Sequence, residues 1–253
     1  MNVSLYSASS AMNANLRWQE IIAENLAASS VPGFKKQEMT VAGVEPGGQA
    51  AMTATGAAEP RFVVPHAVVS TDFSPGQFRF TGLNTDVGIE GSGFFEVQLP
   101  DGTVAYTRDG EFRLDGQARL VTKQGFEVLG EGGPIRFDPT QGGSLMESVS
   151  IAPGGEVVQA GELRGRMRVV EFNNPALLKP VGGGLFLAQQ PGLMELGDPA
   201  STLRQRWLEQ ANTSPVTEMA SLLTAMRAFE ANQRVVQLQD ERLGKVIAEL
   251  TPN

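Results

Sequence analysis

The chain of 253 residues has no cysteine and a single histidine, and both shortages narrow its chemistry. Without cysteine there is no disulfide, no thiolate metal ligand and no thiol nucleophile. One histidine leaves a zinc site short of its usual ligands and provides only one candidate for a catalytic triad. The composition therefore predicts no metal site and no cofactor.

Positive charge is also scarce. Lysine and arginine number 20 against 28 aspartate and glutamate residues, which gives a formal net charge of −8. A chain of this sign repels the phosphate backbone of nucleic acids and the headgroups of anionic lipids. We therefore expect no nucleic-acid partner.

Long apolar runs are missing as well. No stretch approaches the roughly 20 apolar residues that a membrane-spanning helix needs. The first basic residue is Arg17, and no apolar segment typical of a secretory signal follows it. We expect no membrane insertion, and any export is expected to proceed without a cleaved signal peptide.

What the sequence does contain is a helical pattern at each end. Apolar and small side chains recur at alternating spacings of three and four over about residues 4–29, and Pro32-Gly33 ends that pattern. The same spacing recurs over about residues 215–250, where Pro215 suits the first helical turn. The apolar seam positions are Leu5, Met12, Ile22 and Leu26 in the first helix, and Met219, Leu222, Met226, Phe229, Val236, Leu243, Ile247 and Leu250 in the second.

These seams predict assembly. A seam with two apolar positions in seven is narrower than the stripe of a helix that lies on its own globular core. We expect the two helices to pack together as a coiled coil and to bundle with the helices of other subunits. The polar seam residues Asn15, Gln19, Gln233 and Asp240 are expected to set the register.

Between the helices lies a β-rich region. Turn dipeptides at Asp101-Gly102, Asp109-Gly110 and Asp115-Gly116 separate short strands, and no helical pattern intervenes. The predicted fold is α+β, with a central antiparallel sandwich or open barrel flanked by the terminal helices. Its predicted parts are an N-terminal assembly helix (1–35), an extended linker (36–80), the β-rich domain (81–205) and a C-terminal assembly helix (206–253). Strand candidates are 62–69, 77–80, 94–99, 104–107, 111–114, 126–129, 149–151, 156–158, 167–172 and 185–188.

The residues that could carry catalysis lack the sequence context that catalysis requires. His66 has no nucleophile-elbow sequence near it, so a triad is not indicated. Gly91-Ser92-Gly93 lacks the third glycine of a dinucleotide fingerprint and precedes a strand where a helix is required. The carboxylates Asp86, Glu90, Asp101 and Asp109 occupy turns and strand ends, the ordinary place for solvated acids. The chain is predicted not to be an enzyme.

Three segments resemble the flagellar axial protein family, the rod and hook subunits of the bacterial basal body. Residues 24–36 are similar to its amino-terminal signature, residues 85–97 and 106–112 to the start of its β-rich region, and residues 208–232 to its carboxy-terminal helix. The sequence departs from the pattern at Ala28, where the family commonly has asparagine, and at Gln210-Ala211. The residues that carry the match are Asn25, Leu26, Pro32, Gly33, Phe34, Gly91, Gly93, Phe94, Phe95 and Asn212.

The resemblance implies a structural subunit of the periplasmic rod that transmits torque and has no catalytic activity. Its partners would be other copies of itself, the neighbouring rod proteins and the flagellar type III export apparatus. Within the family, the chain length and the segment 71–82 look most like the FlgF type, with the FlgG type second. The alternatives are a cell-wall- or carbohydrate-binding β module with helical dimerisation ends, and a glycosidase on a β scaffold. A binding module is expected to expose a row of aromatic side chains, whereas Trp18 and Trp207 lie in or beside the terminal segments.

Overall fold

A computed structural model describes residues 3–44, 64–139, 149–197 and 200–250. The chain forms two compact units. Unit 1 comprises Met1–Leu26, Gln37–Thr71 and Pro215–Asn253, and unit 2 comprises Ala27–Lys36 and Asp72–Ser214. Helices lie at the two ends and antiparallel strands between them, so the predicted α+β class is confirmed.

The two terminal helices have nearly the bounds that the spacing pattern predicted. Helix α1 is Val3–Ala28 and helix α2 is Pro215–Leu250. Proline occupies the first position of α2, where its missing N–H costs nothing, and Glu218 lies in the first turn, where a carboxylate interacts favourably with the helix dipole. In the described residues, neither helix combines the length and the apolarity that crossing a bilayer requires.

Unit 1 also contains a two-stranded antiparallel ladder. Strand β1 (Gln37–Val44) pairs with β2 (Val64–Thr71), from Gln37 opposite Thr71 to Val44 opposite Val64. The sequence predicted most of β2 but not β1, which contains Ala, Gly and Glu and therefore has weak strand propensity of its own. Backbone hydrogen bonds to β2 stabilise β1 despite this weak propensity. Residues 45–63 of the predicted linker lie outside the described residues, and its last residues form β3 (Phe78–Phe80) in unit 2.

Unit 2 holds the remaining strands. They are β3 (Phe78–Phe80), β4 (Val87–Glu90), β5 (Phe94–Gln98), β6 (Val104–Thr107), β7 (Phe112–Leu114), β8 (Leu120–Thr122), β9 (Glu127–Gly130), β10 (Gly133–Pro134), β11 (Val149–Ile151), β12 (Glu156–Gln159), β13 (Glu162–Arg166), β14 (Val169–Phe172), β15 (Lys179–Gly182), β16 (Leu185–Leu187), β17 (Glu195–Leu196), β18 (Thr202–Gln205) and β19 (Trp207–Glu209). A short 3₁₀ turn at Pro175–Leu177 follows β14.

One large sheet dominates unit 2. Its main strand order is β15-β16-β6-β5-β9-β8-β7, with β14 added to β5, β17 to β14 and β10 to β9. A three-stranded sheet β11-β12-β13 and the pairs β18-β4 and β19-β3 complete the described strands. The described pairs are antiparallel, as hairpin-rich sequence predicted. The closure of these sheets into a sandwich or an open barrel remains a prediction.

Strand β5 is covered on both faces. Successive side chains of a strand point to opposite sides, so Phe94 and Phe95 enter different apolar clusters. The Phe95 ring lies 5.0 Å from that of Phe112, edge to face. The Phe94 ring lies 5.9 Å from that of Phe186 on the other side. Both clusters gain from the edge-to-face geometry that aromatic pairs prefer.

Candidate functional site

Unit 2 contains a buried ionic triad, Lys35, Arg108 and Glu209, in which the three segments of the family resemblance meet. Lys35 follows the Pro32-Gly33-Phe34 turn, Arg108 follows β6, and Glu209 ends β19. Their side chains are 0%, 3% and 1% exposed. Charged side chains reach such burial only when they are paired.

Glu209 lies at the centre of the triad. Its Oε1 accepts hydrogen bonds from Lys35 Nζ at 2.6 Å and from the backbone N–H of Gly76 at 2.7 Å. Its Oε2 accepts one from Arg108 Nη1 at 3.2 Å. The carboxylate therefore receives two charge-assisted bonds, which are about twice as strong as neutral ones.

The two cations have further partners. Lys35 Nζ donates to the carbonyl of Ser74 at 2.8 Å, and Arg108 Nη2 donates to the carbonyl of Gly91 at 2.8 Å. The guanidinium also lies over the Phe94 ring at 5.0 Å. Burial lowers the pKa of Lys35 and that of Arg108, and attraction to Glu209 opposes the shift in each case.

Backbone contacts of unusual closeness surround the triad. Gly33 has φ +65° and its N–H donates to the carbonyl of Glu209 at 2.7 Å. A Cβ at Gly33 would lie 2.3 Å from the carbonyl carbon of Arg108, and one at Gly76 would lie 1.9 Å from the carbonyl oxygen of Gln210. Only glycine fits at these two positions.

Asn212 fixes the segment that leads to α2. Its Oδ1 accepts from the N–H of Lys36 at 2.8 Å, and its Nδ2 donates to the carbonyl of Asp72 at 2.8 Å. Its own N–H donates to the carbonyl of Phe34 at 3.2 Å. Through these bonds a single side chain holds the residues after β19 against those that follow α1.

The other family-motif residues are also held in place. Asn25, in unit 1, is 2% exposed and exchanges two hydrogen bonds with the backbone of Gln37, at 2.8 and 2.9 Å. The N–H of Gly93 donates to Ser201 Oγ at 2.9 Å. Phe34 is buried, whereas Leu26 and Pro32 are half-buried.

The predicted seam residues have mixed exposure. Ile22 is buried, Met12 and Leu26 are half-buried, and Leu5 has no described side chain. Leu222, Phe229 and Val236 are half-buried, Met219 and Met226 are exposed, and the side chains of Leu243, Ile247 and Leu250 are not described. One contact joins the helices inside unit 1, from Gln19 Nε2 to the carbonyl of Ala225 at 3.4 Å. The coiled-coil packing remains a prediction.

The four candidate acids differ in their exposure. Asp101 and Glu90 are exposed, while Asp86 and Asp109 are buried. Burial raises the pKa of Asp86 and raises that of Asp109 to about 6. His66 lies on β2, opposite Ala42. Among the described residues no cluster of three or more histidine and acidic side chains has an arrangement that holds a metal ion.

A cleft of about 840 Å³ in unit 2 is lined by charged residues that pair with one another. Arg168 contacts Glu96 at 2.8 Å and Glu195 at 2.9 Å. Arg166 contacts Glu131 at 3.2 Å. Both arginines that line the described part of the cleft are thus paired with carboxylates of the same chain.

The aromatic side chains near β19 do not form an open row. The rings of Phe80 and Trp207 meet edge to face at 5.3 Å. The guanidinium of Arg204 lies over Trp207 at 5.0 Å and over Phe78 at 5.5 Å. Arg204 therefore packs on the rings of Phe78 and Trp207, whereas Phe80 is 59% exposed.

Three family models match the chain. The flagella basal body rod protein model matches residues 5–35, the flagellar hook protein FlgE/F/G D1 domain matches residues 88–159, and the flagellar basal body rod FlgEFG protein C-terminal model matches residues 204–249. Each match includes one member of the triad or ends beside one.

Curated relatives match over nearly the whole chain. The FlgG rod protein of Buchnera aphidicola (subsp. Acyrthosiphon pisum) is 30% identical over 96% of this chain and 98% of its own length. The FlgF rod protein of Caulobacter vibrioides is 31% identical over 97% and 100%. The FlgG protein of Borreliella burgdorferi is 38% identical over 68% and 67%. With both types represented at similar identity, the chain belongs to the flagellar basal-body rod proteins and is a structural subunit of the rod, not an enzyme.

Proposed function

We propose that this subunit assembles with copies of itself and with neighbouring rod proteins through α1 and α2, and that it transmits torque along the rod. The observation that carries the proposal is a second apolar face on α2. Val216, Met219, Leu223 and Met226 are 78%, 54%, 59% and 47% exposed. At 100° per residue these four side chains lie within an arc of about 80°.

This exposed face is distinct from the one that the chain itself covers. Ala225 is fully buried and Glu218 is 6% exposed, and both lie on the opposite side of the helix from Leu223. Contiguous exposed apolar residues on a soluble protein mark a surface that binds a partner. Full burial of each such side chain is worth about 1.5–3 kcal/mol, and the gain recurs at every subunit of the assembly.

The predicted seam on α2 therefore divides between two faces. Met219 and Met226 belong to the exposed face, whereas Leu222 and Phe229 lie nearer the covered one. We propose that the covered side packs within unit 1 and that the exposed side receives helices of neighbouring subunits. A helix with two apolar faces is typical of bundles with more than two helices.

The test is a charge placed on the exposed face. Leu223→Asp and Met226→Asp are expected to leave the isolated subunit folded, because neither side chain is buried in it, and to prevent incorporation into basal bodies. Thr224→Asp is the matched control, since Thr224 is also exposed on α2 but lies about 100° around the helix from Leu223, outside the exposed apolar face. Circular dichroism, subunit content of purified basal bodies and motility are measured. Normal incorporation of both apolar variants would overturn the proposal.

We further propose that the subunit lies in the periplasmic part of the rod, is delivered by the flagellar type III export apparatus and is of the FlgF type. Family membership supports the first two statements. The similarity of the segment 71–82 to FlgF supports the third, and a FlgF relative is 31% identical over 97% of the chain; a FlgG relative matches 96% of it at 30%. Labelling the subunit in purified basal bodies and measuring its distance from the hook tests the assignment; a position next to the hook would favour the FlgG type.

A further inference from the structure

The buried triad joins parts of the chain that are far apart in sequence. Lys35 and Glu209 are separated by 174 residues, and Arg108 and Glu209 by 101. Lys35 belongs to the segment after α1, and Glu209 to the segment before α2, so the triad forms only when both segments pack beside Arg108, which follows β6. We propose that the triad is a folding lock, which makes docking of the N-terminal segment 31–36 conditional on docking of the C-terminal segment 207–212.

The charge balance explains why docking is conditional. The triad contains two cations and one anion, and Glu209 is the direct ionic partner of both cations. Asp72 and Glu171 add weaker attraction to Lys35 and Arg108 respectively. Without Glu209, the N-terminal segment can dock only by burying Lys35 close to Arg108, two like charges with no direct counter-ion. A buried charge that has lost its partner is strongly unfavourable.

The hydrogen bonds around the triad repeat this dependence in the backbone. The N–H of Gly33 donates to Glu209, and the N–H of Asn212 donates to Phe34. Each segment therefore supplies acceptors for the other. If either segment undocks, the other retains buried polar groups without hydrogen-bond partners, which destabilises the folded state.

The three members are not equivalent, and this distinguishes a lock from ordinary packing. Removing Glu209 leaves two buried cations. Removing Lys35 leaves Arg108 and Glu209 as a neutral pair, and the Ser74 carbonyl still accepts a hydrogen bond from Asn212 Nδ2 at 3.3 Å. Loss of the anion is therefore expected to be far more harmful than loss of one cation, and removing a cation is expected to relieve the loss of the anion.

The experiment measures amide hydrogen exchange in the full chain. The reporters are the N–H groups of Gly33, Lys36, Gly76 and Asn212, and the reference is the central strand β5. The variants are Glu209→Gln, Lys35→Met and the double variant. Glu90→Gln is the matched control, because Glu90 lies 3.8 Å from Arg204 but is 61% exposed.

We expect Glu209→Gln to accelerate exchange at the four reporters by about 100- to 1,000-fold. Lys35→Met is expected to accelerate it by less than about tenfold, and Glu90→Gln to leave it unchanged, as is usual for an exposed pair. The double variant is expected to exchange at least about tenfold more slowly than Glu209→Gln.

Two results would overturn the lock. The first is equal acceleration in Glu209→Gln and Lys35→Met, which points to lost packing. The second is a double variant that exchanges as fast as Glu209→Gln or faster. If Glu209→Gln does not fold at all, the folding of the double variant is the test. A folded unit 2 in the double variant supports the lock, and an unfolded one refutes it.

Discussion

Asp109 is a buried carboxyl group whose ionisation opposes folding. It is 5% exposed, and its Oδ1 accepts a hydrogen bond from the N–H of Glu111 at 2.9 Å. Burial, with the nearby charges of Glu111 and Asp86, raises its pKa from 3.8 to about 6. For a carboxyl group with a raised pKa, the stabilising contribution is complete below pH 3.8 and is lost as the pH rises through about 6.

The magnitude follows from the shift. Each pKa unit corresponds to about 1.4 kcal/mol, so ionisation of Asp109 costs the folded protein about 3 kcal/mol at pH 7.5. Asp109→Asn keeps the acceptor for the Glu111 N–H and removes the charge. The variant is therefore expected to be more stable than the wild type by about 3 kcal/mol at pH 7.5, and by less than about 1 kcal/mol at pH 4.

Urea unfolding checks this expectation. The fluorescence of Trp207, in unit 2, reports unfolding in a Trp18→Phe background. Asp101→Asn is the matched control, because Asp101 makes the same kind of bond, to the N–H of Thr103 at 2.9 Å, but is exposed. Its pKa is lowered by that bond, so no gain is expected between pH 4 and 7.5. An Asp109→Asn variant that loses stability, or gains the same amount at both pH values, would refute the reasoning.

Three further outcomes are expected. Gly33→Ala should destabilise unit 2 by at least about 2–3 kcal/mol, seen as a lower Tm, because the new Cβ meets the backbone of Arg108 and φ is positive; an unchanged Tm would contradict the close approach. Phe229→Asp should abolish motility while unit 2 stays folded by circular dichroism, since a charge in a helix interface is desolvated at a cost of about several kcal/mol; normal motility would argue against that interface. The purified protein should show no hydrolysis of peptidoglycan fragments, and turnover abolished by His66→Ala or Glu90→Gln would contradict a purely structural role.

The terminal helices could be predicted closely because their signals are local. The alternating spacing over α2, with Pro215 at its first position, defined both ends of the helix. The faces of that helix were less predictable. The pattern treated Met219, Leu222 and Met226 as one seam, whereas the structure exposes the two methionines and half-buries the leucine. Apolarity predicts that a side chain needs a partner, but not whether the partner lies in the same chain.

Strand prediction succeeded for several apolar segments between turn signals, but it missed the buried strand β8. Strands β6 and β11 have the predicted bounds. Strands β13 and β18 were missed, because they contain two arginines and one arginine respectively among few apolar residues. Strand β18 is held by its pairing with the buried strand β4, which was not itself predicted. Such strands form through long-range pairing that no short window of sequence records.

The buried triad lay in quoted motifs but was not recognised as a site. Lys35, Arg108 and Glu209 all lie within the segments that resemble the family, but none was singled out as a site residue. Charged residues are almost always exposed, so their burial together is not expected from sequence. A usable signal was present: each of the three segments places a charge within two residues of a glycine or an aromatic residue. Gly33 packs against the backbone of Arg108, and Lys35, two residues later, is buried. A positively charged residue in such a segment requires an anion elsewhere in the chain, and the third segment contains one. Sequence spacing alone does not identify the acid that pairs with Lys35. The fold determines that pairing, because it brings Glu209, at the end of β19, close to Arg108, which follows β6.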